Sequence, residues 1–293
     1  MKRKASYHVF AVISILGWSL TYVYTRMALR HFSVYSLGFL RYILASAMLL
    51  ALSPMLGIRL PALRDAWKFA SSGATGFFLY MIVFNKGSAT ETAATGSIIL
   101  ATAPVITSLM SWAFSGEKLR AVQWAAVAVE FSGILVLALW NGVFSMGHGI
   151  PWLIAAAFLI GTFNLQQRKL VKNYSGLQSS IFSIFFGTAM LSVFAPSAFK
   201  EALSAEPVFL YYAAVLGVFS SALAYVSWSV AIERAPGASH VSNYMFLTPF
   251  VASLLGFLVA GEIPGTGTLT GGAIILLGVF LFNFGGRYNR RRL

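Results

Sequence analysis

Residues 93–117 read AATGSIILATAPVITSLMSWAFSGE, and residues 238–262 read ASHVSNYMFLTPFVASLLGFLVAGE. Set against each other at an offset of 145, without a gap, they share Ala93/Ala238, Ser97/Ser242, Pro104/Pro249, Ser108/Ser253, Leu109/Leu254, Gly116/Gly261 and Glu117/Glu262. The same register extends back to Tyr80/Tyr225 and on to Gly133/Gly278. In each copy a Pro falls midway along an apolar run, a Gly-Glu pair ends that run, and a Gly lies inside the next. That order reads as one fold unit used twice.

The bulk composition says what kind of unit it is. The chain has 293 residues, 58% hydrophobic and 10% charged, with a mean hydropathy of +0.77. Soluble domains carry about 25% charged residues, so this chain is a polytopic membrane protein. It has no Cys, which excludes disulfides and thiol-held metals or clusters. Met1–Lys4 followed by an apolar run imitates a signal peptide, but the run continues to Met27 and reads as an uncleaved first span.

A span needs about 20 mostly apolar residues. Ten segments qualify: Tyr7–Met27, Val34–Leu56, Trp67–Asn85, Thr92–Phe114, Ala121–Asn141, Pro151–Val171, Gln178–Pro196, Pro207–Glu233, Ala238–Ala260 and Thr268–Gly285. With the N-terminus in the cytoplasm, sixteen of the 21 Lys and Arg fall in cytoplasmic segments, and only Arg30, Lys86 and Lys200 in outer loops. The positive-inside rule then places both termini in the cytoplasm. The net charge of +13 faces the anionic inner leaflet, so no nucleic-acid partner is needed. Five spans per copy is an odd number, so the second copy is inverted: Glu117 falls in a cytoplasmic loop and Glu262 in an outer one. The predicted fold is all-α, ten transmembrane helices as two inverted five-helix repeats, 1–145 and 146–293. Such repeats support alternating access about a site near the bilayer midplane.

Polar and aromatic residues at helical spacing mark the candidate site. Trp18 and Thr21 share a face of the first span, with Tyr22 beside it. Tyr80 lies on the third span, Gln166 on the sixth, Tyr225 and Trp228 on the eighth, and Asn243 on the ninth. Hydrocarbon satisfies no amide or hydroxyl, so these faces point into the bundle, as an aromatic cavity or as bonds between helices. Arg41, inside the second span, keeps its charge. It either snorkels to the interface or holds an anion, the sharper form being a substrate carboxylate. Glu130 lies midway along the fifth span, where a carboxylate costs about 3 kcal/mol. It reads as a neutral acid bonded to a neighbouring helix, a partner of Arg41, or a proton-coupling site. Pro104 and Pro249 predict kinks.

Enzyme signatures such as HExxH, GxSxG and a P-loop Lys are absent from the sequence. No cofactor or metal site is expected, and the partners are a small-molecule solute and the lipid bilayer.

The ordered motifs resemble the drug/metabolite transporter superfamily of EamA type. They are Gly17-Trp18-Ser19-Leu20-Thr21 with Arg26, Phe39-Leu40-Arg41-Tyr42, Tyr80, Thr92-Ala93, Ser97, Pro104, Gly116-Glu117, Trp124 and Gly133, and in the second copy Tyr225, Ala231, Pro249, Gly261-Glu262 and Gly278. The resemblance covers nearly the whole chain. It implies a secondary carrier of small organic solutes in a bacterial inner membrane, often an exporter of amino acids or related metabolites. Uptake or exchange of another solute is the alternative within transport, and a non-transporting membrane protein the alternative outside it. The chain departs from the family at Glu130, usually small or apolar, and at Thr162, after which the second copy lacks the Trp that follows Gly17 in the first.

Overall fold

The computed structural model describes residues 7–115, 119–140, 148–234, 241 and 243–284. In chain order its helices are α1 (Tyr7–Ala28), α2 (Val34–Leu52), α3 (residues 66–88), α4 (Ala93–Phe114), α5 (Ala121–Leu139), α6 (Ile150–Leu170), α7 (Gly176–Leu203), α8 (Pro207–Arg234), α9 (Thr248–Ala260) and α10 (Thr266–Phe284). Six described helices, α1, α2, α4, α6, α7 and α8, are long and apolar enough to cross a membrane, and α5, α9 and α10 are shorter apolar helices. The chain is an all-helical polytopic membrane protein among its described residues. Gly116, Glu117, Ala238 and Ser242 of the repeated stretch lie outside them.

Capping chemistry fixes where several helices begin. Ser33, Thr92 and Ser175 hold extended backbones, and their hydroxyls accept the amides of Ser36, Thr95 and Gln178 at 3.1–3.2 Å, satisfying N–H groups that have no partner within the helix. Helix α2 stops at Leu52, short of the expected Leu56, because Pro54 and the left-handed Gly57 (φ 62°) turn the chain. Helix α7 runs past its expected end at Pro196. A 3-10 turn over Ser192–Phe194 restarts it, and Pro196 then sits in a first turn where its missing N–H costs nothing.

Two departures from plain α-helix recur in both halves. Helix α3 passes through a π turn at Ala74–Leu79 and α8 through one at Val215–Leu223, each just before the paired Tyr80 and Tyr225. Helix α4 is interrupted at Ala101–Thr102 just before Pro104, and α9 follows a 3-10 turn at Asn243–Leu247 just before Pro249. The two prolines therefore open helical segments rather than bend continuous ones.

The packing pairs also come in couples: α1–α8 with α3–α6, α1–α9 with α4–α6, and α2–α8 with α3–α7. Helices α5 and α10 pack extensively on each other and stand to one side of the rest. They run antiparallel. Trp140 at the end of α5 packs on Gly267 at the start of α10, with its Nε1–H donating to Thr266 Oγ1 at 3.1 Å, while Ala126 clusters with Phe282 at the other end. At the crossing the backbones nearly touch. A Cβ on Gly133 would lie 2.7 Å from Ile275 N and 2.9 Å from Gly271 O, and one on Gly278 would lie 2.8 Å from Glu130 N and 2.9 Å from Ala126 O. Each contact maps onto the other when 145 is added, since Ala126 corresponds to Gly271 and Glu130 to Ile275.

One ionic clamp closes an end of the bundle. Gly261 takes the left-handed conformation (φ 65°) that ends α9, and Glu262 then pairs with Arg26 and accepts the Ala93 amide of α4 at 2.8 Å. At the opposite end Asp65 accepts from Lys68 and from the Tyr174 hydroxyl, both at 2.7 Å, tying the start of α3 to the turn after α6.

Because the obstruction at the α5–α10 crossing is backbone, Gly133→Ala and Gly278→Ala should each lower stability by about 1–3 kcal/mol. Gly176→Ala, where an added Cβ meets nothing within 4 Å, should stay within about 0.5 kcal/mol of the parent. Thermal melting of the three purified variants in one detergent checks this, and equal shifts would contradict the crossing.

Candidate functional site

Arg41 is the centre of the site. It lies in the middle of α2, 4% exposed, and its three nitrogens find only weakly polar company. Nε donates to Ser221 Oγ at 2.6 Å, Nη2 to Thr21 Oγ1 at 3.3 Å, and Nη1 reaches the Met81 sulfur at 4.0 Å. The guanidinium carbon lies 5.4 Å from the Tyr42 ring centroid, within cation–π range. Among the described residues no carboxylate is paired with it, so the expected alternative of an Arg41–Glu130 pair is not formed. The snorkelling alternative is not taken either, because the head group ends among α1, α3 and α8.

Aromatic rings surround this charge. Trp18 meets Tyr225 edge-on with centroids 5.7 Å apart and Trp228 at 5.0 Å. Tyr22 meets Phe84 at 5.7 Å, and Tyr80 stacks on Phe84 at 5.4 Å. Phe77 bridges Tyr42, Phe163 and Tyr225 at 5.3, 5.2 and 6.1 Å. Tyr22, Tyr42, Tyr80 and Tyr225 all lie within electrostatic reach of Arg41. Tyr22, Tyr80 and Tyr225 are only half-buried although they sit deep among the helices, so their free faces border interior space.

The structure thus brings together Trp18, Thr21, Tyr22, Arg41, Tyr80, Tyr225 and Trp228. Gln166 is placed elsewhere. It accepts from Thr75 Oγ1 at 2.7 Å and donates to Ser71 Oγ at 2.9 Å, beside Gln167, which donates to Ser72 and Ser183. Phe163, one turn earlier on α6, separates this polar mouth from the aromatic chamber. Its ring occupies the space a Cβ on Gly76 would take. Asn243 begins the turn before α9, and its side chain lies outside the described residues.

Glu130 also stands apart. It is 4% exposed and borders an apolar cleft of about 140 Å³ between α4, α5 and α6 that shares no lining residue with the Arg41 cluster. Among the described residues its Oε1 has no hydrogen-bond partner, so the bond to a neighbouring helix expected of a neutral acid is not seen at that atom. Phe77 and Met81 are the lining residues that the helical pattern does not single out. Phe77 lies within the π turn at Ala74–Leu79 and Met81 just after it, each one position beyond a residue, Gly76 or Tyr80, of the face that the helical period picks out.

The sequence profile of the EamA-like transporter family matches residues 5–139 and again 147–284. The chain is 32% identical to a probable terminal-alkyne amino-acid exporter of Streptantibioticus cattleyicolor over 93% of its own length and 91% of that protein. It is 27% identical to the uncharacterized transporter YdfC of Bacillus subtilis over 89% and 86%. It is 25% identical to an uncharacterized transporter of Archaeoglobus fulgidus over 94% and 96%. A solved crystal structure superposes with a TM-score of 0.63 at 19% identity, covering 96% of this chain and 98% of the other, which shows a shared fold.

The bond from Arg41 to Ser221 separates two neighbouring serines. Ser221→Ala leaves a buried N–H of a charged group without its acceptor and should cost about 1–3 kcal/mol. Ser220 is equally buried, but its hydroxyl has no partner among the described residues, so Ser220→Ala should be neutral or slightly stabilising. Paired melting curves decide, and equal shifts would contradict the assigned bond.

Proposed function

The chain belongs to the EamA-like transporter family, and on that premise we propose that it exports small amino acid-like or aromatic metabolites by alternating access. The observation that carries the reading is Arg41, a permanent cation buried in the middle of the bundle and left without a carboxylate among the described residues. An Arg at mid-membrane costs about 2.5–3.5 kcal/mol on insertion scales, so a charge kept there without a counter-ion marks a place for an anionic ligand. The guanidinium reads the carboxylate of the cargo. Trp18, Tyr22, Tyr80, Tyr225 and Trp228 supply apolar walls with hydroxyl and indole edges for its side chain. Export is favoured by the similarity to the S. cattleyicolor protein.

Alternating access follows from reading residues 1–145 and 146–293 as two copies of one five-helix unit, the second inverted. The antiparallel α5–α10 crossing, the coupled packing pairs and the matching π turns support that reading. The chamber lies where α1, α2, α3 and α8 meet, between the two copies, as a rocking carrier requires. Both termini are assigned to the cytoplasm of a bacterial inner membrane, and the Arg26–Glu262 clamp to the outer face. Glu130 lies off this path, in the cleft beside α5, and we give it no part in binding the cargo. Gln166 is assigned to the polar mouth rather than to the chamber.

In proteoliposomes, Tyr225→Ala and Trp228→Ala should each reduce saturable flux of an aromatic carboxylate by about tenfold or more, in the range of losing a well-packed aromatic contact. Both should still fold and insert, checked by membrane yield and a monodisperse elution profile. Parental transport kinetics in both variants would assign these rings to packing alone.

A further inference from the structure

We infer that, among amino acid-like and aromatic acids, the chamber prefers a monocarboxylate anion to a zwitterion, so that acids whose amine is absent or masked bind more tightly than the free amino acid. This rests on the carboxylate-reading role given to Arg41 above. The argument is a charge inventory. The chain has eight acidic residues, and seven are described. Asp65 is held by Lys68 and Tyr174, Glu201 by the Ser33 amide and the Ser36 hydroxyl, and Glu262 by Arg26 and the Ala93 amide. Glu91 sits at the Gly149 backbone within reach of Arg26, and Glu206 and Glu233 are exposed. Glu130 borders its own cleft. None of the seven faces the chamber, and Glu117 lies outside the described residues.

The donors of Arg41 point the same way. A guanidinium carries five N–H groups in a planar fork. Hydroxyl oxygens accept from Nε and Nη2, and Nη1 faces only the Met81 sulfur. The Nη1 edge therefore keeps N–H groups for an incoming acceptor, the arrangement that a carboxylate fills with two parallel charge-assisted bonds. One carboxylate neutralises the site. A zwitterion brings a second charge of the same sign as Arg41 into a space where desolvating an ion costs several kcal/mol. The faces of Trp18, Tyr225 and Trp228 return about 2 kcal/mol or somewhat more as cation–π attraction, which offsets only part of that cost. Removing or acylating the amine should therefore tighten binding.

The test uses the purified full-length chain in lipid nanodiscs and isothermal titration with matched ligands. The aromatic set is 3-phenylpropanoate, N-acetylphenylalanine, phenylalanine and phenylalaninamide, and the aliphatic set is 4-methylpentanoate, N-acetylleucine, leucine and leucinamide. Within each set the amine-free and N-acetyl acids should bind about tenfold more tightly than the zwitterion, the scale of the uncompensated part of the ammonium cost, and the cationic amide should not bind. A zwitterion that binds as tightly as its amine-free partner, or more tightly, overturns the inference and leaves the carboxylate site standing. Binding by none of the carboxylates overturns both the inference and the role of Arg41.

Discussion

A fixed positive charge in the middle of a hydrocarbon-spanning bundle has to be solvated by the protein, and the architecture around Arg41 follows from how that is done. Three helices contribute. Helix α1 brings Thr21, α3 brings Met81, and α8 brings Ser221, while rings from α1, α2, α3 and α8 present polarisable faces and hydroxyls around it. This solvation is partial by construction. Two hydroxyls and a thioether replace water poorly, and a site left short of negative charge is a site that attracts an anion.

The two halves of the chain use one design for different ends. Gly76 and Ser221 stand 145 residues apart, each within the π turn of its helix. In α3 the glycine leaves space that the Phe163 ring fills. In α8 the serine reaches across to Arg41. Trp18 and Phe163 are likewise counterparts, and each lies against the π-turned helix of the other half, Trp18 on Tyr225 and Phe163 on Phe77. At corresponding positions the two π-turned helices thus serve different ends, one bonding the charge and the other receiving an aromatic partition. Glycine close approach, by contrast, is the same in both, because at the α5–α10 crossing neither Gly133 nor Gly278 has room for a Cβ.

Much of this was legible in the sequence. The apolar runs come directly from the cost of burying polar groups in lipid, so the all-helical membrane class could be read without coordinates. The Trp18, Tyr80, Tyr225 and Trp228 group was visible because a helical period puts each on a polar face. Phe77 and Met81 each follow a residue of the predicted face, Gly76 and Tyr80, by one position, and an apolar side chain there reads from sequence as core. Gln166 lies on a polar face of α6, but periodicity gives an angle about the helix and no depth, and Phe163 stands between it and Arg41. The same missing depth and angle made a pair between Glu130 and Arg41 conceivable on paper, although their helices sit in different parts of the bundle.

The account turns on where a bound carboxylate rests. A structure of the full-length protein with 3-(4-bromophenyl)propanoate, phased on the bromine anomalous signal, locates both ends of such a ligand. The carboxylate should lie within hydrogen-bonding distance of the Nη1 and Nη2 atoms of Arg41, with the bromophenyl ring among Trp18, Tyr225 and Trp228. A ligand found in the cleft beside Glu130, or at the Gln166 mouth with Arg41 still bonded only to Ser221 and Thr21, would contradict it.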